Sequence, residues 1–183
     1  MHMKKLAVYC GSSTGFNPIY QENAKLFGQL MVNNGLDLIY GGGAIGIMGC
    51  LADTVLHYGG SVFGVIPEFL DKVEITHRGL TELHVTENMP DRKAKMYDLA
   101  DGFVALPGGI GTMEELFEVF TWKQLQIHNK PIGILNTNGY FDYLLTYLEH
   151  MVKEGFIQSL HKDLILVRDD PESLIADIHR SVL

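Results

Sequence analysis

The chain has 183 residues, of which 46% are hydrophobic and 20% charged, which suits a globular domain with a sizeable core and excludes a disordered chain. The formal net charge of −8 argues against nucleic acid as the main partner, because binding a phosphate backbone needs a basic face. No apolar run is long enough to cross a bilayer and no signal peptide is visible, so we expect a cytoplasmic protein with no membrane partner. Cys10 and Cys50 lie in or beside apolar elements, which favours two buried free thiols over a disulfide.

Short apolar segments alternate with helical patterns along the whole chain. We predict strands over residues 5–10, 36–40, 61–66, 80–85, 102–106, 131–135 and 164–167. Helices are predicted over residues 17–34, 49–59, 89–101, 112–127, 140–154 and 171–183, with an irregular connection at 68–79. This alternation is typical of an α/β fold, a Rossmann-like doubly wound and mostly parallel sheet with helices on both faces, and residues 1–183 are expected to form a single nucleotide-binding domain of this kind.

The most informative stretch begins where the buried strand at 102–106 ends. Pro107 stops the strand, Gly108, Gly109 and Gly111 supply a loop with little side-chain bulk, and Thr112 is predicted to open a helix. A strand, a glycine loop and a helix N-terminus together make an anion site, because backbone N–H groups converge there and glycine lets a phosphate approach closely. Glu114 and Glu115 follow at once, which suggests a ligand whose phosphate and reacting ends lie close together.

Glu115 has two possible roles on sequence grounds. Thr112 and Glu115 fit the S/T-x-x-E capping box, in which the glutamate side chain bonds back to the amide of the threonine. Alternatively, Glu115 is a catalytic carboxylate beside the bound phosphate. An isolated motif of this kind is usually a cap, and the glycine loop shifts the balance towards the second role while leaving both open.

A second glycine-rich loop follows the second predicted strand. Gly41, Gly43 and Gly46 match the G-x-G-x-x-G dinucleotide fingerprint, and Glu68 ends the next strand about where a ribose-binding acid belongs. This pattern would suit a nicotinamide-dependent oxidoreductase. The structural alternative is a tight turn packed closely on its neighbours, and the glycine loop further along favours a mononucleotide over a dinucleotide.

The third candidate segment is the basic start of the helix at residues 89–101. Arg92, Lys93 and Lys95 fit a solvated basic face. Arg92 lies in the first turn, where a cation opposes the helix dipole, which favours a ligand contact there. The eight histidines show no metal-ligand spacing, so we expect no metal.

Two aromatic features complete the inventory. The lone Trp122 is interpreted as core or interface packing. The broad apolar face of the helix that starts at Tyr140 suits either the core or a contact between subunits.

At this point the sequence resembles a known family. The motif P-G-G-x-G-T-x-x-E from Pro107 to Glu115, with R-K-x-x-M from Arg92 to Met96, is similar to the LOG family of cytokinin riboside 5′-monophosphate phosphoribohydrolases, whose members were long labelled lysine decarboxylases. The resemblance covers nearly the whole chain. It implies hydrolysis of the N-glycosidic bond of an adenosine-type 5′-monophosphate, giving free base and ribose 5-phosphate, by a homo-oligomer such as a dimer with its site near the subunit contact.

The resemblance also implies roles for individual residues. Arg92 and Glu115 match the catalytic pair of the family. The predicted substrate-binding positions, from the loops and the resemblance together, are Ser12, Gly42, Gly43, Glu74, Met89, Lys93, Gly109, Ile110, Gly111, Thr112, Met113 and Glu114. The family usually has Met-His ahead of the basic pair where this chain has Met89, Pro90 and Asp91, so the preferred base stays open.

The chemistry suits these residue types. Glycosidic cleavage passes through an oxocarbenium-like sugar, which a carboxylate such as Glu115 stabilises. Arg92 is a poor proton donor, so its expected role is charge stabilisation of the departing base. Lysine decarboxylation needs a pyridoxal cofactor on a lysine, and no lysine is singled out, so we expect no cofactor. The main alternative is a non-catalytic nucleotide or molybdenum-cofactor carrier, against which the Arg92 and Glu115 pair argues.

Overall fold

Seven parallel strands form one sheet in the computed structural model, which describes residues 3–71 and 76–181. The order across the sheet is β4-β3-β2-β1-β5-β6-β7, and every neighbouring pair is parallel. All seven predicted strands are confirmed. Their bounds are β1 Lys5–Tyr9, β2 Asp37–Tyr40, β3 Val62–Pro67, β4 Glu82–Thr86, β5 Gly102–Ala105, β6 Ile132–Leu135 and β7 Ile165–Arg168.

The six predicted helices are also present, together with short pieces that the sequence did not indicate. Two four-residue helices and a 3₁₀ turn at Thr137–Gly139 are the additions, and one of the short helices lies in the predicted irregular connection. The helices are α1 Ile19–Asn33, α2 Gly46–His57, α3 Glu68–Asp71, α4 Met89–Leu99, α5 Ile110–Gln124, α6 Asp142–Lys153, α7 Ser159–Lys162 and α8 Pro171–Arg180. None of the helices in the described residues is long and apolar enough to span a membrane.

The start of α5 differs from the prediction. The helix begins at Ile110, after an N-terminal cap position occupied by Gly109, so the prediction that Thr112 opens it is wrong. Thr112 is already the third helical residue, and its side chain is buried against the α-carbon of Gly108. The glycine loop is therefore shorter than the sequence suggested, and the amides of Ile110, Gly111 and Thr112 belong to the first helical turn.

The helices cover both faces of the sheet, as predicted. Alternate residues of β1 point to opposite faces, and Leu6 and Ala7 accordingly belong to two different hydrophobic clusters. One cluster takes buried side chains from α1, α2 and α8, such as Phe27, Leu51 and Ile178. The other takes side chains from α4, α5 and α6, namely Met96, Leu116, Val119, Phe120 and Leu148.

The sheet reverses its strand order at β1, and this reversal places the candidate site. From β1 the chain passes outward to β2 on one side, while β5 lies on the other side. Open α/β sheets bind ligands outside the carboxyl ends of the strands at such a switch point. The loops after β1 and β5 meet there, since the amide of Gly11 donates to the carbonyl of Pro107 at 3.1 Å. The amide of Met48 in turn donates to the carbonyl of Gly11 at 3.2 Å, which brings in the start of α2.

Candidate active site

A cleft of about 240 Å³ opens at the carboxyl edge of the sheet, beside the switch point. It is bounded by the loops after β1 and β2, by α3, and by the first turns of α4 and α5. The lining residues are Cys10, Gly11, Ser12, Gly41, Met48, Leu70, Met89, Arg92, Gly109, Ile110, Gly111, Thr112, Glu114 and Glu115.

A buried ion pair lies in the wall of this cleft. Nη1 of Arg92 on α4 donates to Oε1 of Glu115 on α5 at 2.7 Å, and Nε of Arg92 donates to the carbonyl of Val65 on β3 at 3.0 Å. Only 8% of Arg92 and 9% of Glu115 is exposed. The capping-box interpretation of Glu115 is therefore wrong, because the cap position of α5 is Gly109 and the carboxylate is bonded to Arg92 instead. The solvated basic face is equally wrong for Arg92.

The surroundings of Glu115 favour its neutral form more than water does. Burial raises the pKa of the Glu115 carboxyl, and the nearby Arg92 guanidinium opposes that rise. A carboxylate that has lost most of its hydration and keeps one cationic partner is a strong electrostatic group, because the low local dielectric screens it poorly. Such groups are concentrated at functional sites.

The first turn of α5 lies where the sequence predicts an anion site, and its geometry is compatible with that prediction. The first amides of a helix have no partner within the helix, and the dipole is positive at that end. A Cβ added at Gly109 or at Gly111 would meet no protein atom within 4 Å, so packing does not require glycine at either position. Gly108 is different, because a Cβ there would overlap Oγ1 of Thr112 and stand 2.7 Å from the amide nitrogen of Gly11. Gly108 thus allows the loop to close on its neighbours, whereas Gly109 and Gly111 leave space open in the cleft.

Lys93 does not line the cleft. Its ammonium group bonds to Glu114 and, at 2.9 Å, to Glu118, both of which are on α5. These carboxylates raise the pKa of Lys93. Lys93 thus ties α4 to α5 beside the Arg92 pair, and its predicted contact with substrate stays a prediction.

The loop after β2 is a tight turn packed closely on its neighbours, as the structural alternative to the dinucleotide fingerprint predicts. Gly46 has a φ of +65°, and a Cβ there would overlap the backbone of Ser12 in the neighbouring loop. Gly42 has a φ of +81° and lies against Ile66, while Gly43 forms a β-bridge with Thr76. The loop follows β2, one strand away from the switch point. Gly41 is the glycine of this loop that reaches the cleft.

The predicted binding residues divide into three groups. Ser12, Met89, Gly109, Ile110, Gly111, Thr112 and Glu114 line the cleft with the two catalytic candidates. Gly42, Gly43, Lys93 and Met113 do not line it; Met113 packs on the core instead. Glu74 lies outside the described residues. Within the described part of the chain, no cluster of three or more His, Cys, Asp or Glu residues could hold a metal ion.

Sequence reasoning missed several residues around the cleft. Cys10, Met48 and Leu70 line it, although none carries a recognisable functional pattern, and Gly41 lines it although only its neighbours Gly42 and Gly43 were predicted as binding residues. Tyr140 was noted only as part of an apolar face, yet its hydroxyl donates to the carbonyl of Gly108 at 2.5 Å. It lines a second hollow of about 230 Å³, which shares Gly11, Ser12 and Gly109 with the cleft.

The two other aromatic features of the sequence differ in their surroundings. Trp122 packs edge-on against Tyr97 at 5.0 Å between ring centroids, which confirms a packing role. The face of α6 divides: Leu148 is buried in the core, whereas Tyr143 and Tyr147 are exposed.

Comparison with known proteins identifies the family. The family model described as "Possible lysine decarboxylase" matches residues 48–178. A cytokinin riboside 5′-monophosphate phosphoribohydrolase of Arabidopsis thaliana is 45% identical over 175 residues, covering 96% of this chain and 81% of that protein. The chain belongs to the LOG family. A relative of the same name from Rhodococcoides fascians is 47% identical over 176 residues, 96% of this chain and 89% of its own.

Among solved structures, the LOG-family chain resembles the molybdenum cofactor binding protein from Rippkaea orientalis. The TM-score is 0.75, and the match covers 100% of this chain and 99% of that one. Sequence identity is only 21%, so the likeness confirms the Rossmann-like α/β fold and carries nothing about ligands.

Proposed function

We propose that this protein is a phosphoribohydrolase that cleaves the N-glycosidic bond of an adenine-type riboside 5′-monophosphate. The products are the free base and ribose 5-phosphate, and cytokinin nucleotides fall within the proposed substrate class. Its LOG-family relatives at 45% and 47% identity carry the name of this activity. The lysine decarboxylase label in the family description has no support from a lysine in the cleft, because none lines it in the described residues.

The observation that carries the proposal is a buried carboxylate–guanidinium pair beside an anion site with open glycines. The 5′-phosphate is proposed to bind the first-turn amides of α5, with Gly109 and Gly111 leaving room for its oxygens. Glu115 lies one helical turn further along the same wall. A bound phosphate there would hold the ribose near Glu115, whose charge stabilises the oxocarbenium-like transition state.

Arg92 acts by charge and position in this mechanism. Its Nε hydrogen and one Nη1 hydrogen are already donated to Val65 and Glu115, and a guanidinium does not give up a proton at ordinary pH. It keeps Glu115 oriented and places positive charge near the departing base. Water adds its oxygen to the anomeric carbon as the C–N bond breaks, and the base leaves with a proton from that water.

The alternative of a non-catalytic nucleotide or molybdenum-cofactor carrier is less favoured. Its support is the likeness of fold to proteins of about one-fifth identity. A carrier has no need of a carboxylate whose charge is made costly by burial, as that of Glu115 is. A buried charged group that mere binding does not require favours catalysis.

We also propose a single-domain, cytoplasmic homodimer that has no nucleic-acid or membrane partner. The exposed Tyr143 and Tyr147 on α6 support the homodimer, because aromatic residues are enriched at subunit contacts. The net charge of −8 argues against a nucleic-acid partner. Light scattering at micromolar concentration tests the dimer, and a monomer there would contradict it.

The activity is tested by incubating the protein with a panel of nucleoside monophosphates and the matching nucleosides, and by following the released base. AMP-type nucleotides should be cleaved and adenosine barely touched. Equal kcat/KM for AMP and adenosine would remove the phosphate site from the proposal. Tight binding of AMP without release of base would favour the carrier.

A further inference from the structure

The α-carbon of Gly41 lies against the guanidinium of Arg92. Gly41 follows directly after β2 and is buried. A Cβ added there would stand less than 3.0 Å from Nη2 of Arg92, 3.6 Å from its Cζ and 3.3 Å from Sδ of Met48. Real Cβ atoms essentially never come within 3.0 Å of a neighbour, so any side chain at position 41 would force the guanidinium to move.

The remaining nitrogens of Arg92 are fixed by hydrogen bonds. Nε donates to the carbonyl of Val65 at 3.0 Å, and Nη1 donates to Glu115 at 2.7 Å. A guanidinium is planar and rigid, so contacts at all three nitrogens determine both its place and its plane. Two of the three contacts come from neighbouring parts of the sheet, because Gly41 directly follows β2, Val65 lies in β3, and these two strands are paired.

We propose that Gly41 is a positioning residue for the reaction. Because Gly41 has no side chain, the Arg92 guanidinium can lie directly against its α-carbon, and this contact holds the guanidinium in place beside Glu115. The kinetic consequences of this inference rest on the proposed function, whereas the placement of Arg92 does not. The glycine loop after β2 thereby serves the catalytic pair, although it follows a different strand from either member of it.

Backbone conformation does not account for glycine at position 41. Gly42 and Gly46 have φ angles of +81° and +65°, which favour glycine, but Gly41 is not among the glycines with positive φ. Alanine at position 41 therefore adds one methyl group without backbone strain. The nearest atom it meets is the far end of a flexible side chain, so the protein should fold with the guanidinium displaced.

Steady-state kinetics of Gly41→Ala with AMP test the inference. A misplacement of about 1 Å in a catalytic group can cost about 10²-fold in rate, so we expect kcat to fall about 10²-fold. KM for AMP should change less than about threefold, because the proposed phosphate contacts on α5 are untouched. A rise in KM with unchanged kcat would overturn the assignment.

A matched variant separates positioning from general packing damage. Gly133 in β6 is also buried, and a Cβ there would meet Cδ1 of Leu174 at 2.9 Å and Cδ1 of Ile178 at 3.1 Å, far from the cleft. Gly133→Ala should lower the melting temperature at least as much as Gly41→Ala and leave kcat unchanged. If both variants lose kcat in proportion to their melting temperature, Gly41 is a packing residue only.

A double variant identifies Arg92 as the group through which Gly41 acts. Lysine lacks the Nη2 atom that the new methyl group would meet, so Gly41→Ala should cost little further in an Arg92→Lys background. An equal fold-loss in the two backgrounds would show that the methyl group acts elsewhere.

A measurement without activity keeps this inference separate from the proposed function. The Nε–H resonance of Arg92, assigned by its loss in Arg92→Lys, should be protected from exchange in the wild type because it is bonded to Val65 and buried. Gly41→Ala should shift that resonance and reduce its protection, whether or not any nucleotide is cleaved. An unchanged resonance overturns the positioning role, whereas a wild type that releases no base overturns only the proposed function.

Discussion

Replacing Glu115 by glutamine removes one negative charge from the cleft and keeps the shape of the side chain. The amide oxygen of glutamine can still accept the Nη1 hydrogen that Arg92 donates at 2.7 Å. Under the proposed mechanism the lost charge faces an oxocarbenium-like transition state. Loss of one preorganised electrostatic group typically costs about 10²–10³-fold in rate, so Glu115→Gln should lower kcat by that factor.

The stability effect of the same change follows from the burial of the pair. Removing one partner of a buried ion pair outright costs about 3–5 kcal/mol. Glutamine keeps the hydrogen bond, and burial already raises the pKa of the Glu115 carboxyl, so we expect about 2 kcal/mol, or roughly 4–8 °C in Tm. Base release from AMP well below that Tm, together with a thermal melt, separates the two effects.

The control for Glu115→Gln is Glu118→Gln. Glu118 is on the same helix and accepts from Lys93 at 2.9 Å, but it does not line the cleft. This variant loses the same charge from α5 and should keep kcat within about twofold, since partly exposed ion pairs contribute little. A Glu115→Gln protein with near-wild-type kcat would leave the mechanism without its carboxylate and refute it.

Further outcomes are expected for two glycine substitutions, for the pH dependence and for Tyr140. Gly111→Ala should raise KM for AMP about tenfold at unchanged Tm, because its Cβ would enter only the proposed phosphate space. Gly108→Ala should instead lower Tm, because its Cβ would overlap Thr112 within the loop. Steady-state kinetics and melting curves check both variants. The acid limb of kcat/KM should lie above the ordinary glutamate pKa of about 4.3, since burial raises the pKa of Glu115, and Arg92→Ala should move that limb to still higher pH in a pH–rate profile. Because the pKa of the Glu115 carboxyl is raised in the folded protein, the native state binds the carboxyl proton more tightly than the unfolded chain does. The contribution of Glu115 to the free energy of unfolding should therefore fall as pH rises through its folded pKa. Tyr140→Phe removes the hydrogen bond to the carbonyl of Gly108, and one such bond contributes about 0.5–1.5 kcal/mol. We therefore expect this variant to raise KM for AMP a few-fold with little change in kcat.

The central strands of the sheet were predictable because they are buried on both faces. Segments such as Phe103, Val104 and Ala105 are fully buried in β5, so their sequence is a continuous apolar run bounded by glycine and proline. The start of α5 was less predictable. Thr112 resembles a cap in the sequence, yet Gly109 occupies the cap position. Gly109 has no side chain that could cap the helix, so the sequence gives no signal for a cap there.

The catalytic candidates were found from the sequence, but their contact was not. Arg92 and Glu115 are 23 residues apart on different helices, and only the packing of α4 and α5 on the same face of the sheet brings them together. Gly41 shows a different limit of the sequence. The spacing of glycines left a ligand contact and close packing as alternatives, whereas the neighbour of this glycine is a guanidinium from another element, which no local pattern reveals.

The departure from the family pattern at Met89, Pro90 and Asp91 has a local physical explanation. The side chain of Asn88 caps α4 by accepting from the amide of Asp91 at 2.9 Å and donating to its carboxylate at 2.8 Å. Pro90 fits beside that cap, because the first helical turn needs no partner within the helix for its amides. Pro90 is exposed and does not line the cleft, whereas Met89, which the family shares, does. The departure therefore alters how the helix that carries Arg92 begins, and Met89 is the residue of this segment that still lines the cleft.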